Sequence, residues 1–88
     1  MQNLRLTSNT YAGKLFARWD PVKGVKSYEV QICPDPAVEV NFRPLTPATG
    51  GNYVIEDRDS MTRQWLRVRG VSKKSVGPWS QLANKVVP

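Results

Sequence analysis

Gln64-Trp65-Leu66-Arg67-Val68-Arg69-Gly70-Val71, followed after a short gap by Gly77-Pro78-Trp79-Ser80, is the stretch on which the fold turns. Side chains alternate across a strand, so Leu66, Val68 and Gly70 fall on one face and Trp65, Arg67 and Arg69 on the other. That alternation predicts a strand with one face on a core and the other toward solvent. Gly77-Pro78 then predicts a turn, which brings Trp79 back to lie across the two arginines.

The residues on either side repeat the pattern. Ser27-Tyr28-Glu29-Val30-Gln31-Ile32-Cys33 alternates strictly, with Tyr28, Val30 and Ile32 inward and Glu29, Gln31 and Cys33 outward. Before it, Leu15, Ala17 and Trp19 share a face, and Asp20-Pro21 ends that strand because proline has no N–H for a ladder. Leu4 and Leu6 predict a first short strand, followed by a turn at Tyr11-Ala12-Gly13-Lys14. Val38-Glu39-Val40-Asn41-Phe42 reads as a short strand, Pro44 through Gly51 as loop or edge, and Asn52 to Glu56 as a strand. Asp57-Arg58-Asp59-Ser60 reads as a polar corner and Gln81 to Val87 as the last strand. Seven short strands separated by turn signals predict an all-β, antiparallel, immunoglobulin-like sandwich. At 88 residues, with no internal repeat, the expectation is one domain over residues 1–88.

Composition narrows the chemistry. Forty per cent of the residues are hydrophobic, which with this patterning predicts a folded core rather than disorder. No run of 18 apolar residues occurs, so no membrane-spanning helix is expected. Met1-Gln2-Asn3-Leu4-Arg5 lacks the apolar core of a signal peptide, and any export signal would belong to a longer parent. A single cysteine, Cys33, excludes an internal disulfide, and the absence of histidine excludes imidazole catalysis and the usual Cys/His zinc sites. The net charge is +6, but the thirteen Lys and Arg are dispersed and Lys73-Lys74 is the one basic doublet. Dispersed cations predict a solvated surface rather than a dedicated polyanion site.

Four pieces, in order and at domain-like spacing, resemble a fibronectin type III domain: Leu15-x-Ala17-x-Trp19-Asp20-Pro21-Val22, Ser27-Tyr28-Glu29-Val30-Gln31, Arg67-Val68-Arg69-Gly70-Val71 and Gly77-Pro78-Trp79-Ser80. The resemblance covers essentially the whole chain and is nearest to copies in bacterial multidomain proteins. It implies seven strands in two sheets, no catalysis, and a role as spacer, scaffold or adhesive module at the cell surface or outside the cell. Two departures stand out. The family's corner tyrosine falls at Gln64, and the Leu-x-Pro element before it reads Arg58-Asp59-Ser60. Either the corner is rebuilt, with Met61 covering that end of the core, or the register slips by one and Trp65 turns inward. A slip would bury Arg67 and Arg69 unpaired, which is prohibitive, so the first register is kept. The family's integrin-binding Arg-Gly-Asp is absent, because Arg69-Gly70 is followed by Val71.

The candidate interaction face is therefore Trp65, Arg67, Arg69 and Trp79 beside Glu29 and Gln31. It resembles the Trp–Arg ladder of cytokine-receptor modules, whose motif survives only as Trp79-Ser80. Stacked guanidiniums would brace the last strand, with Glu29 neutralising one of them. Trp19 and Tyr28 are expected in the core and Phe42 in the core or at its rim. Cys33 is expected to be a half-exposed, inert thiol. Glu56, Asp57 and Asp59 are read as a solvated corner rather than a calcium site, since Arg58 and Arg63 intrude. No catalytic residue, cofactor or metal is expected. The expected partners are neighbouring domains of a parent protein or a separate protein, the isolated chain being a monomer. Nucleic acid or glycan binding through the Trp/Arg face is the alternative.

Overall fold

The computed structural model describes residues 2–8, 12–73 and 75–88. Tyr11 of the predicted first turn and Lys74 of the basic doublet lie outside them. Among the described residues seven strands form: β1 (Gln2–Thr7), β2 (Leu15–Asp20), β3 (Ser27–Pro34), β4 (Arg43–Pro44), β5 (Asn52–Ile55), β6 (Arg63–Val71) and β7 (Ala83–Val86). They make two antiparallel sheets, in the orders β1-β2-β5 and β4-β3-β6-β7.

Alternation along each strand supplies the core. β2 sends Leu15, Ala17 and Trp19 inward, and β3 answers with Tyr28, Val30 and Ile32. From β6, Leu66 and Val68 are fully buried, joined by Leu4, Ala48, Ile55 and Val87. At about 25 cal/mol per Å² of apolar area, each such Leu, Ile or Val contributes about 1.5–3 kcal/mol of hydrophobic stabilisation. The Trp19 and Tyr28 rings meet at 5.5 Å and 60°, the tilted geometry that aromatic quadrupoles favour. The Tyr28 hydroxyl accepts the Val22 amide at 2.7 Å, which ties the β2–β3 loop to the core. Gly51 is required by close approach: a Cβ there would lie 2.7 Å from the Trp19 carbonyl oxygen. At Gly70, opposite Tyr28 on β3, a Cβ would crowd Val25 at 3.0 Å.

The longest pairing sets the outer face. β3 and β6 pair over eight positions, placing Glu29 opposite Arg69, Gln31 opposite Arg67 and Cys33 opposite Trp65. The register is the one that keeps both arginines off the core.

Three expectations are corrected by the structure. Val38–Phe42 is no strand; it holds a 3-10 turn at Glu39–Asn41, and pairing resumes at the edge strand Arg43–Pro44, where Pro44 opens the stretch expected to be loop or edge. The segment crosses the outer face instead of running along the sheet, because Glu39 and Phe42 both close on Arg67. Cys33 is consequently buried, its Sγ 3.2 Å from the Pro34 oxygen and 3.7 Å from that of Val38. Phe42 is buried at the rim, as expected, with its ring against Arg67. Met61 does not cover the corner: it is 83% exposed with φ 67°, and Val87 closes that end, bonded to Met61 and Thr62. Gln64 occupies the corner position, buried, with its Nε2 donating to the Thr62 hydroxyl.

Candidate interaction face

Arg67 and Arg69 are two apart on β6, so both stand on the outer face about one repeat from each other. Val68, between them, is the anchor for the returning chain. Its carbonyl accepts the Ser80 amide at 2.8 Å and its amide donates to the Ser80 hydroxyl at 3.1 Å. The Gly77 amide bonds the Gly70 oxygen one pair further along. Residues 77–80 thus run beside β6 ahead of β7, and Trp79 is held level with the gap between the arginines. Its ring has the Arg67 guanidinium at 4.3 Å on centroid and that of Arg69 at 4.2 Å. The Phe42 ring packs on Arg67 at 4.2 Å. The result is a continuous stack of Phe42, Arg67, Trp79 and Arg69.

In-plane partners complete it. Arg67 donates from Nε and Nη2 to Gln31 Oε1 at 2.9 and 2.6 Å. It also grips Glu39 with both Nη atoms at 2.6 and 2.9 Å, the bidentate fork that lysine cannot make. Arg69 donates to Glu29 Oε2 from Nε and Nη2 at 2.7 and 2.6 Å. The Arg67 side chain is only 10% exposed, whereas Glu39 is 76% exposed. The cation is therefore desolvated and saturated while its carboxylate stays in water. The Arg67 hydrogen bond, aided by its charge and opposed by partial desolvation, holds the Glu39 carboxyl below its ordinary value of 4.5.

Trp65 stands on the same face but outside the stack. It is half-buried, and its Nε1 donates to Asp35 Oδ1 at 2.7 Å. Opposite it on β7, Asn84 accepts from Arg63. The structure thus groups Arg67, Arg69, Trp79, Glu29 and Gln31, and sets Trp65 beside them. Sequence reasoning missed Glu39, Asp35 and the stacking of Phe42. One signal was available: two stacked guanidiniums with Glu29 alone left one cation without a counter-charge.

Elsewhere, Glu56 pairs with Lys14 at 3.4 Å and its carbonyl accepts from Arg58, so the predicted polar corner carries local ion pairing. Among the described residues no three His, Cys, Asp or Glu side chains converge on a common point, and no helix is long and apolar enough to cross a membrane.

The two sheets, their strand order and the buried inter-sheet core define an immunoglobulin-like β-sandwich. Comparison of the coordinates with solved structures makes this more specific, and the chain has the fibronectin type III fold. A Fn3-like protein from Clostridium thermocellum matches with a TM-score of 0.85 and 18% identity, over 99% of this chain and 90% of that one. The sixth fibronectin type III domain of a human fibronectin type III domain containing protein matches at 0.77 and 22%, over 99% and 82%. Titin kinase with its flanking domains matches at 0.82 and 14%; 98% of this chain covers 16% of that one, so the fold recurs as one part of a longer polypeptide. No protein-family model matches the sequence, and no curated protein matches it.

Proposed function

We propose that the chain is a non-catalytic β-sandwich module of a larger protein, docking a neighbouring domain or a separate protein through the Trp65 end of its outer face. One observation carries this reading. Trp65 sits beyond the saturated stack, and the segment folded over the same face exposes Val38 and Val40 to 41% and 75%. An indole bonded to Asp35 and flanked by the Arg63–Asn84 pair, on a face crossed by a segment with two exposed valines, has the apolar and polar mixture of a protein contact. The stack supports it by holding the face rigid, so little side-chain entropy is lost on docking. Absence of histidine and burial of the single thiol support a module without catalysis. Polyanion or glycan binding through the same face is disfavoured, because a ligand would have to displace Glu39 and Glu29 from Arg67 and Arg69.

Hydroxyl-radical footprinting tests the proposal. In the longest natural polypeptide containing this segment, Trp65 and Val40 should be protected relative to the isolated 88 residues, with Trp79 unchanged. Equal labelling of Trp65 in both would refute docking at this face.

A further inference from the structure

The charges that β-sheet pairing leaves unused are unevenly placed. Among the described residues, Arg18, Lys23, Lys26, Lys73 and Lys85 form no ion pair or side-chain hydrogen bond. Three of the five lie at one end of the sandwich, on the β2–β3 loop (Lys23, Lys26) and the β6–β7 loop (Lys73). Neither loop contains a carboxylate. Four of the loop acids lie at the opposite end instead, Asp35 after β3 and Glu56, Asp57 and Asp59 after β5, while Asp20, which closes β2 at the basic end, is engaged by Asn3 and Arg5. Between the two basic loops is an open cleft of about 540 Å³ lined by Gly24, Lys26, Ser27, Val71, Ser72 and Lys73.

We propose that this cleft binds an anionic polyol, a sugar or inositol ring carrying several phosphate or sulfate esters. Lys26 and Lys73 line it from the two different loops and supply compact, hydrated ammonium charges suited to ester oxyanions. Ser27 presents a hydroxyl group that can both donate to and accept from ring hydroxyls, while the Ser72 hydroxyl, already bonded to Ser75, shapes the loop. The ring sits over Gly24 and Val71, and Lys23 adds charge from the same loop. Among the described residues no aromatic side chain lines the cleft to stack a nucleobase, which separates this chemistry from nucleic-acid binding. The site does not depend on the Trp65 face, which lies at the other end of β6.

Calorimetric titration of this chain with inositol hexakisphosphate and with a heparin-derived hexasaccharide, at 50 and 150 mM NaCl, tests it. At least one should bind, more tightly at low salt, and the stronger one identifies phosphate or sulfate as the ester. Lys26→Gln and Lys73→Gln should each weaken binding about fivefold and flatten its salt dependence, while melting like the parent chain. Lys85→Gln removes the same charge from an unpaired lysine on β7 and should leave affinity unchanged. The assignment fails if neither probe binds at 50 mM salt. It also fails if Lys85→Gln costs as much as Lys26→Gln, the mark of diffuse attraction to the net +6 charge. Tighter binding of an oligothymidylate than of either probe would overturn it too.

Discussion

Arg67 shows how a single buried cation can hold an outer face together. Its removal would empty the space between Phe42 and Trp79 and leave the exposed Glu39 free to hydrate. The cost is thus dominated by lost packing and cation–π contact rather than by an abandoned buried charge. Arg67→Ala should destabilise the fold by about 2 kcal/mol and Trp79→Ala by about 1–2 kcal/mol. The double variant should fall short of their sum by about 0.5–1 kcal/mol, because either change alone breaks the same contact. Urea denaturation with an unchanged m-value measures this, and strict additivity would show that the two side chains do not stack. Arg67 and Arg69 were legible in the sequence through period-2 alternation. Glu39 was not, because an alternating Val-Glu-Val has the same pattern whether it pairs with a strand or crosses one.

Among the elements, the connector from Pro34 to Phe42 departs furthest from expectation. Alternation alone predicts a strand over its Val38–Phe42 part, yet the connector's partners are side chains: Glu39 and Phe42 on Arg67, and Asp35 on Trp65. Tertiary contacts outweighed local β-propensity, which is weak for so short a run. Burial of Cys33 follows from the same crossing, since period 2 alone places that residue outward. The connector also carries a pH signature. The Glu39 carboxyl is held below 4.5 in the folded state, so the stability it contributes is complete above that value and is lost as pH falls through the lower folded value. Glu39→Gln keeps the side chain but removes the titration. The stability difference between the parent chain and Glu39→Gln should therefore hold steady at neutral pH and shrink below about pH 4.5. Chemical denaturation from pH 7 to pH 3 measures it; a constant difference throughout would disconnect Glu39 from Arg67.

For the molecule as a whole, the number of strands and the inward set from Leu15 to Val68 were readable, because each rests on alternation and on proline or glycine turns. The ends were less so. Gln64 replaces an expected tyrosine, and Val87, from the far terminus of the chain, seals the corner assigned to Met61. No local pattern reports a contact between residues so far apart in sequence. The gathering of unpaired lysines at one end was hidden for the same reason: Lys23, Lys26 and Lys73 are far apart along the chain and are brought together only by the loops.

The Phe42–Arg67–Trp79–Arg69 stack also governs how long the folded state lasts once formed. Its hydrogen bonds span 28 to 40 residues of sequence, and it draws on β3, β6 and two separate connectors. Such an assembly closes after the β3–β6 pairing that supports it, so it contributes little to the folding barrier and much to the barrier against escape. In stopped-flow measurements Trp79→Ala should accelerate unfolding by about tenfold and leave refolding nearly unchanged. Refolding slowed by a similar factor would place the stack in the folding nucleus. The outer face then acts as a latch that closes last, setting the lifetime of the sandwich rather than the speed at which it forms.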